Sequence, residues 1–300
     1  MKVPVVLLLT AATLALAGCA RNDSGVSDAP VVSPAAARAA ELAASKDPYA
    51  PLMRAVFGDD YLPAKGHAVE GIGDPDTFQK AYAPIYTGAT STRLPSGETV
   101  LVVTSMATDE NGDENPALPD PGRLSFYVLR QQGGQWNLVR RHDDVAQLGR
   151  VGFVGDLRWV MPAQGRPVLA VEHHESGQGY RGTWLSLFDP SKEKVVDLTG
   201  NGIMTESDST GACPAAVHCW SARATWRFEP TAHADGYDDL VLTIAGDEDE
   251  VADDKAEDNA NEADAVPAPA KTHSLAGTAR YVFQNGSYRL RDGANTLPSF

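Results

Sequence analysis

The chain reads as a mainly β protein of antiparallel hairpins with a short α-helical N-terminal region, and three observations predict it. From residue 97 onward, runs of β-branched, aliphatic and aromatic residues are separated by short turn-forming segments. Several of these runs come in pairs flanking Gly-Gly, Asn-Gly or Pro-bounded turns, the signature of hairpins. Before residue 97, apolar residues instead recur at helical spacing between prolines and glycines. Hairpins in series predict a small propeller-like or sandwich domain.

The elements follow in order. Ser33-Pro34 is an N-cap followed by a proline at the first helical position, and the Ala-rich run Ala35–Ser45 is the helix it opens. Pro48 stops it. Pro51–Phe57, ending at Gly58, predicts a second short helix. Thr77–Ala83, with Phe78 and Tyr82 one turn apart, predicts a third, so 35–96 reads as helical or irregular. The β domain, 97–300, opens with the strand Thr99–Met106. Leu124–Arg130 and Gln135–Arg141 flank Gly133-Gly134. Leu157–Met161 and Val168–Glu172 flank Pro162–Pro167. Thr183–Phe188 and Lys194–Leu198 flank Asp189–Lys192. Ala222–Phe228 and Leu240–Ala245 follow. Arg280–Gln284 and Ser287–Arg291 flank Asn285-Gly286, which favours a type I′ turn because both residues tolerate positive φ. An acidic, Ala- and Pro-rich insert, 247–271, is expected to be disordered, with Leu240–Ala245 and Arg280–Gln284 pairing beneath it.

The N-terminus carries a separate signal. Lys2 precedes an apolar run, Val5–Leu16, too short to span a bilayer and suited to the apolar part of a signal peptide. It ends in Leu16-Ala17-Gly18-Cys19. These four residues resemble the lipobox of bacterial lipoprotein precursors, a resemblance confined to the first two dozen residues. It implies a signal peptide at 1–18, diacylglyceryl transfer to the Cys19 thiol, and a lipidated tether at 19–34. Two or three acyl chains hold a protein on a membrane where one does not, each buried CH₂ being worth about 0.8 kcal/mol. Ala20, where enteric inner-membrane lipoproteins have Asp, leans toward an outer membrane facing the periplasm if the cell is Gram-negative. The expected location is the cell envelope.

With Cys19 lipidated, two cysteines remain. Export to an oxidising compartment predicts a Cys213–Cys219 disulfide, and their spacing does not suit a structural zinc site. The net charge is −15, of which the segment 247–264 alone carries −9. No basic face for nucleic acid is visible, and none is expected as a partner.

Two stretches have oxygen-bearing side chains at calcium-loop spacing. Asp197, Thr199, Asn201 and Asp208 occupy positions 1, 3, 5 and 12, with Gly202 at position 6, which resembles EF-hand and dockerin loops. The alternative is a turn after a strand, with Asx-type hydrogen bonds and glycines at positive φ. Asp109, Asn111, Asp113 and Asp120 form a weaker pattern, for which a solvated loop is the alternative. No cofactor other than calcium is suggested.

The remaining motifs read blandly. His173 and His174 are adjacent in a strand, so they point to opposite faces and do not share an ion. Gly177, Gly179 and Gly182 spell G-x-G-x-x-G, but a strand follows where a dinucleotide site needs a helix N-terminus, so a flexible hairpin connection is expected. The five Trp and most Tyr lie in or beside strand runs and are expected to be core or sheet-face residues rather than a sugar-stacking platform. The overall expectation is a membrane-anchored envelope protein with a non-enzymatic binding or assembly role. The alternatives are a calcium-stabilised protein- or glycan-binding module, or an anchored hydrolase.

Overall fold

A computed structural model describes residues 33–69, 83–109, 114–213, 218–231, 236–250 and 271–300. The chain divides into two units, Met1–Ala39 and Ala40–Phe300. Only 33–39 of the first is described. There Ser33 caps helix α1 (Pro34–Ala44): its hydroxyl accepts from Ala36 N at 3.2 Å and its carbonyl from Ala37 N at 2.9 Å. The expected signal peptide, all of the expected tether before Ser33 (Cys19 included), and most of the helix expected at Thr77–Ala83 lie outside the described residues. No helix among the described residues is long and apolar enough to cross a membrane.

The second unit is mainly antiparallel β, with one further α-helix, α2 (Ala50–Phe57). The first sheet is a meander of β1 (Tyr61–Leu62), β2 (His67–Val69), β3 (Ile85–Arg93), β4 (Thr99–Met106), β5 (Gly122–Gln132) and β6 (Gln135–Leu148), in that spatial order. It corrects the expectation that 35–96 is helical or irregular. Three strands lie before residue 97, and the β3–β4 hairpin runs straight across that boundary. The polar β3 sequence, Tyr86–Arg93, lacks the apolar run that marks a strand, because its residues are only partly buried.

The second sheet comprises β7 (Asp156–Val160), β8 (Val168–Gly177), β9 (Tyr180–Asp189), β10 (Val196–Asp197), β11 (Ile203–Asp208), β12 (His218–Glu229), β13 (Asp239–Glu250), β14 (Lys271–Ser274), β15 (Gly277–Gln284) and β16 (Ser287–Gly293). Its order is β16-β15-β13-β12-β11-β9-β8-β7, with β10 on β9 and β14 on β13. Among the described residues neither sheet closes into a barrel and no propeller forms. The hairpins do not make separate blades, because β11 and β12 join β8–β9 to β13–β15–β16 in one sheet. This sheet curls: Trp226 Nε1 on β12 reaches Glu172 on β8, three strands away, at 3.0 Å. The acidic insert is also corrected at its edges. Asp247–Glu250 extend β13, and Lys271 opens β14 opposite Glu250, so a run of acids paired with polar Lys271–Ser274 continues a ladder that apolar patterning does not reveal. Residues 251–270 lie outside the described residues.

The strands β4 and β5 are covered on both faces, which explains their continuous apolar runs. Leu101, Val103, Tyr127 and Leu129 pack with Met53 and Phe57 of α2. The alternate residues Val100, Val102, Phe126 and Val128 meet Leu169, Val171 and Phe188 of the second sheet. A third cluster fills the concave side of the curled sheet around Leu185, Leu187, Leu240 and Leu242.

Candidate functional site

The Gly-rich hairpin tip is where sequence and structure converge on a surface feature. Gln178 and Gly179 have φ of 53° and 87°, which makes the β8–β9 connection a type I′ turn. The turn is tight rather than flexible, for a reason outside the hairpin. A side chain on Gly179 would overlap the backbone of Gly211 and Ala212, so the 3-10 turn Thr210–Ala212 rests directly against it. That turn is fixed in its own right by the disulfide expected from the sequence: Cys213 and Cys219 are bonded, with Cα atoms 6.1 Å apart. Ser209 N donates to Trp220 O at 2.9 Å, and Trp220 N donates to Ser209 Oγ at 2.8 Å.

Gly182 serves a different neighbour. A Cβ there would run into the Trp184 ring, two residues along the same face of β9. Without it, Trp184 lies along the strand and joins an aromatic row. His173 stacks on Trp184 at 6.1 Å between centroids, Trp184 meets Phe300 at 6.2 Å, Phe300 stacks on Tyr180 at 5.5 Å, and Tyr180 meets Trp220 at 5.8 Å. Phe300 arrives by a strap that follows β16. Asn295 Nδ2 donates to Met204 O at 3.0 Å, and Leu297 is buried. Ser207 Oγ then accepts from Trp220 Nε1 at 2.7 Å and donates to Pro298 O at 2.6 Å. One serine therefore fixes both the indole and the strap.

At its outer end the row opens into a groove of about 610 Å³ lined by Arg150, Glu175, Gln178, Tyr180, Trp220 and Phe300. Tyr180 separates it from a second depression of about 410 Å³ containing Arg181, Asp208 and Thr210. Phe300 is 53 % exposed despite its two ring contacts. The polar groups are of two kinds. Arg150 donates to Ser176 O, and Asp208 is held by Thr210 N at 2.9 Å, Thr210 Oγ1 at 2.6 Å and Ser221 Oγ at 2.8 Å. Burial pushes the Asp208 carboxyl up, but those hydroxyl and amide donors, with Arg181 nearby, outweigh it and hold it below the usual carboxylate range. Glu175 and Gln178, by contrast, are exposed and make no side-chain hydrogen bond or ion pair among the described residues. A further concavity, about 440 Å³ around Ala44, Leu62 and Pro63, has no aromatic residue in its lining.

The expected calcium residues are not brought together. Asp197 pairs with Phe188 on β9 and Asp208 with Arg181, which puts seven residues, or about 23 Å, of extended strand between them. The twelve-residue loop is a short turn followed by β11, whose alternating burial in Ile203–Asp208 is a strand pattern that the calcium spacing concealed. Asp197 Oδ1 instead accepts from Thr199 N at 2.8 Å, Thr199 Oγ1 at 2.9 Å and Gly200 N at 3.0 Å, the Asx-type alternative, with Gly200 and Gly202 at positive φ. Thr199 Oγ1 also accepts from Leu187 N at 3.1 Å, and Asn201 is exposed. Burial pushes the Asp197 carboxyl up despite its donors. In the weaker pattern, Asn111 and Asp113 lie outside the described residues. A bridge between Thr108 and Glu114 encloses Asp109 and leaves out Asp120, whose carboxylate accepts from Ala117 N at 2.8 Å. Among the described residues no three His, Cys, Asp or Glu side chains converge on a metal position.

The histidines face opposite ways, as strand geometry requires. His173 is buried with Nε2 at 3.2 Å from Ser186 Oγ, and His174 is exposed with Nδ1 at 2.9 Å from Thr183 Oγ1. Both are hydroxyl–imidazole pairs, the geometry of a nucleophile and its base. Ser186 and Thr183 are 2 % and 3 % exposed, and Thr183 Oγ1 already donates to Glu206 at 3.2 Å, so neither hydroxyl faces a groove.

Sequence reasoning missed the aromatic row, although a signal existed. Gly182 and Trp184 share a strand face, and a glycine two residues from a tryptophan marks a ring lying flat along the strand. The positions of Phe300 and Trp220 depend on long-range register and have no such signal. No protein-family model, curated protein or solved structure matches the chain.

Proposed function

We propose that this is a lipid-anchored protein of the cell envelope that binds an envelope component in the groove at the tip of β8–β9, without catalysing a reaction there. The lipobox residues Leu16–Cys19 support the anchor and the envelope location, with the outer membrane favoured by Ala20 if the cell is Gram-negative. The single observation that carries the binding role is the exposed end of the aromatic row. Five rings are held by a disulfide-braced turn, a relay through Ser207 and a buried Leu297, yet the row reaches solvent at half-exposed Phe300, in the groove that also holds the unengaged Glu175 and Gln178. A ring surface fixed this firmly and left open matches a preorganised recognition site. The scaffold is best described as a two-sheet sandwich with a short helical N-terminal region. The shared cluster of Val102, Phe126, Leu169 and Phe188 supports that description.

Two experiments test the reading. A photo-crosslinking residue at Gln178 in intact cells is expected to give a discrete adduct that the same residue at exposed Lys192 does not give. Equal labelling at both positions would remove the groove from consideration. For the anchor, Cys19→Ser is expected to abolish incorporation of labelled palmitate, and a mutant that still takes up the label overturns it.

A further inference from the structure

The geometry points to a β-linked glycan chain as the occupant of this groove, its pyranose rings lying on Tyr180, Trp220 and Phe300 and its hydroxyls engaging Glu175, Gln178, Arg150 and Arg181. The inference rests on the binding role proposed above and specifies its ligand.

The Trp220 Nε1–H is used internally by Ser207, so the indole contributes a ring surface and not a donor. Phe300 has no donor, and its stack on Tyr180 leaves it half exposed. An equatorially substituted pyranose offers a flat face of axial C–H groups that matches such surfaces, with its hydroxyls at the perimeter. The groove has a matching perimeter: two guanidiniums, two carboxylates and an amide surround the rings on both sides of the Tyr180 divide. Guanidinium and carboxylate groups are the side chains that engage vicinal hydroxyls in pairs. The two depressions adjoin through Tyr180, Ser176 and Gly177, which suits consecutive units of a polymer better than one small molecule.

A peptide docking by strand addition fits less well. The outer edge of β8 beyond Glu172, which β7 leaves uncovered, is occupied by the loop 149–155. A side chain on Gly155 would overlap Glu172 O and the His173 backbone, and Arg150 holds Ser176 O. The edge that strand addition requires is therefore already engaged.

The test is a titration of the folded, lipid-free chain with the β-1,4-linked tetramers of N-acetylglucosamine and of glucose, read by tryptophan emission and calorimetry. Saturable binding of either tetramer is expected. Tyr180→Ala and Phe300→Ala should weaken it about tenfold or more, the loss of one stacking surface. Glu175→Ala, at an exposed position that does not threaten folding, should weaken it severalfold with the melting temperature unchanged. Binding that is equal in parent and variants would place the sugar elsewhere and overturn the inference. Absence of binding together with a Gln178 adduct to a protein would overturn the glycan and leave the binding groove standing. Absence of binding together with no adduct at Gln178 would overturn both.

Discussion

The base and the tip of the β8–β9 hairpin are one continuous ladder, yet they serve opposite ends. At the base, Leu169 and Val171 face the first sheet while Val168 and Ala170 face the concave cluster, all of them fully buried. At the tip, His174, Glu175, Ser176 and Gly177 are exposed, and the covering layer is an aromatic row with a strap instead of a second sheet. The first sheet ends its coverage between Val171 and His173, and polar chemistry begins within two residues of that point. Rigid backbone extends from a region whose sequence is dictated by packing into one whose sequence is not, so the groove proposed above as a binding site inherits its precision from the core.

The largest contrast should be between two truncations. Leu169→Ala leaves a cavity between two covered faces and is expected to lower unfolding free energy by about 2–5 kcal/mol. Phe300→Ala, on the strap against the exposed end of the same sheet, is expected to cost less than about 1 kcal/mol, since much of its area already faces water. Equal losses in chemical denaturation would mean that the tip is core and that the distinction is wrong.

Next comes the disulfide. Replacing both cysteines, Cys213→Ser with Cys219→Ser, releases a short loop and should cost about 2 kcal/mol on chain-entropy grounds. Because the closed turn is what Gly179 rests on, tryptophan emission from Trp220 should shift as well. A stability loss without a spectral change would show that the disulfide braces the fold but not the aromatic row.

A smaller effect should appear with pH. Burial, with His174 alongside, pushes the His173 imidazole down from its ordinary value to about 4. The folded state thus binds fewer protons than the unfolded state between pH 6.5 and 4. Stability from the neutral imidazole is complete above 6.5 and is lost as pH falls through that window. His67 and His142 are also lowered by burial and add slopes of the same sign. His173→Gln should therefore make the stability–pH curve shallower below pH 6.5 without removing the slope. An unchanged curve would mean that water reaches the ring.

How much of this was legible in the sequence depends on the range of the forces involved. Local turn chemistry was: Gly133-Gly134 and Asn285-Gly286 both adopt positive φ, and the Ser33 cap follows from Ser-Pro; the Cys213–Cys219 pair follows from its being the two cysteines left beside Cys19 in a chain expected to be exported. The runs Thr99–Met106 and Leu124–Arg130 were legible because burial on both faces leaves a continuous apolar stretch. Of the strands that escaped notice, the two longest are polar or half-buried: β3, and β11, whose acids and glycines imitate a calcium loop. The site escaped because it is assembled from positions 150, 180, 220 and 300, whose proximity is set by sheet register rather than by any local preference.

The smallest effect should come from the acidic insert. In the β13–β14 pair Glu250 stands directly opposite Lys271, so the two chain ends to be joined lie one strand spacing apart. Residues 251–270 can therefore be replaced by Asn-Gly, which suits a two-residue hairpin turn at this register. Shortening a loop recovers only a slowly varying closure entropy, so the melting temperature is expected to move by no more than about 2 °C. Glycan binding should also persist, since β13 and β14 contribute no residue to the groove. A large drop in melting temperature would mean that the insert covers part of the second sheet, and the tip of β8–β9 would then not be the only place where that sheet exchanges a packed face for a functional one.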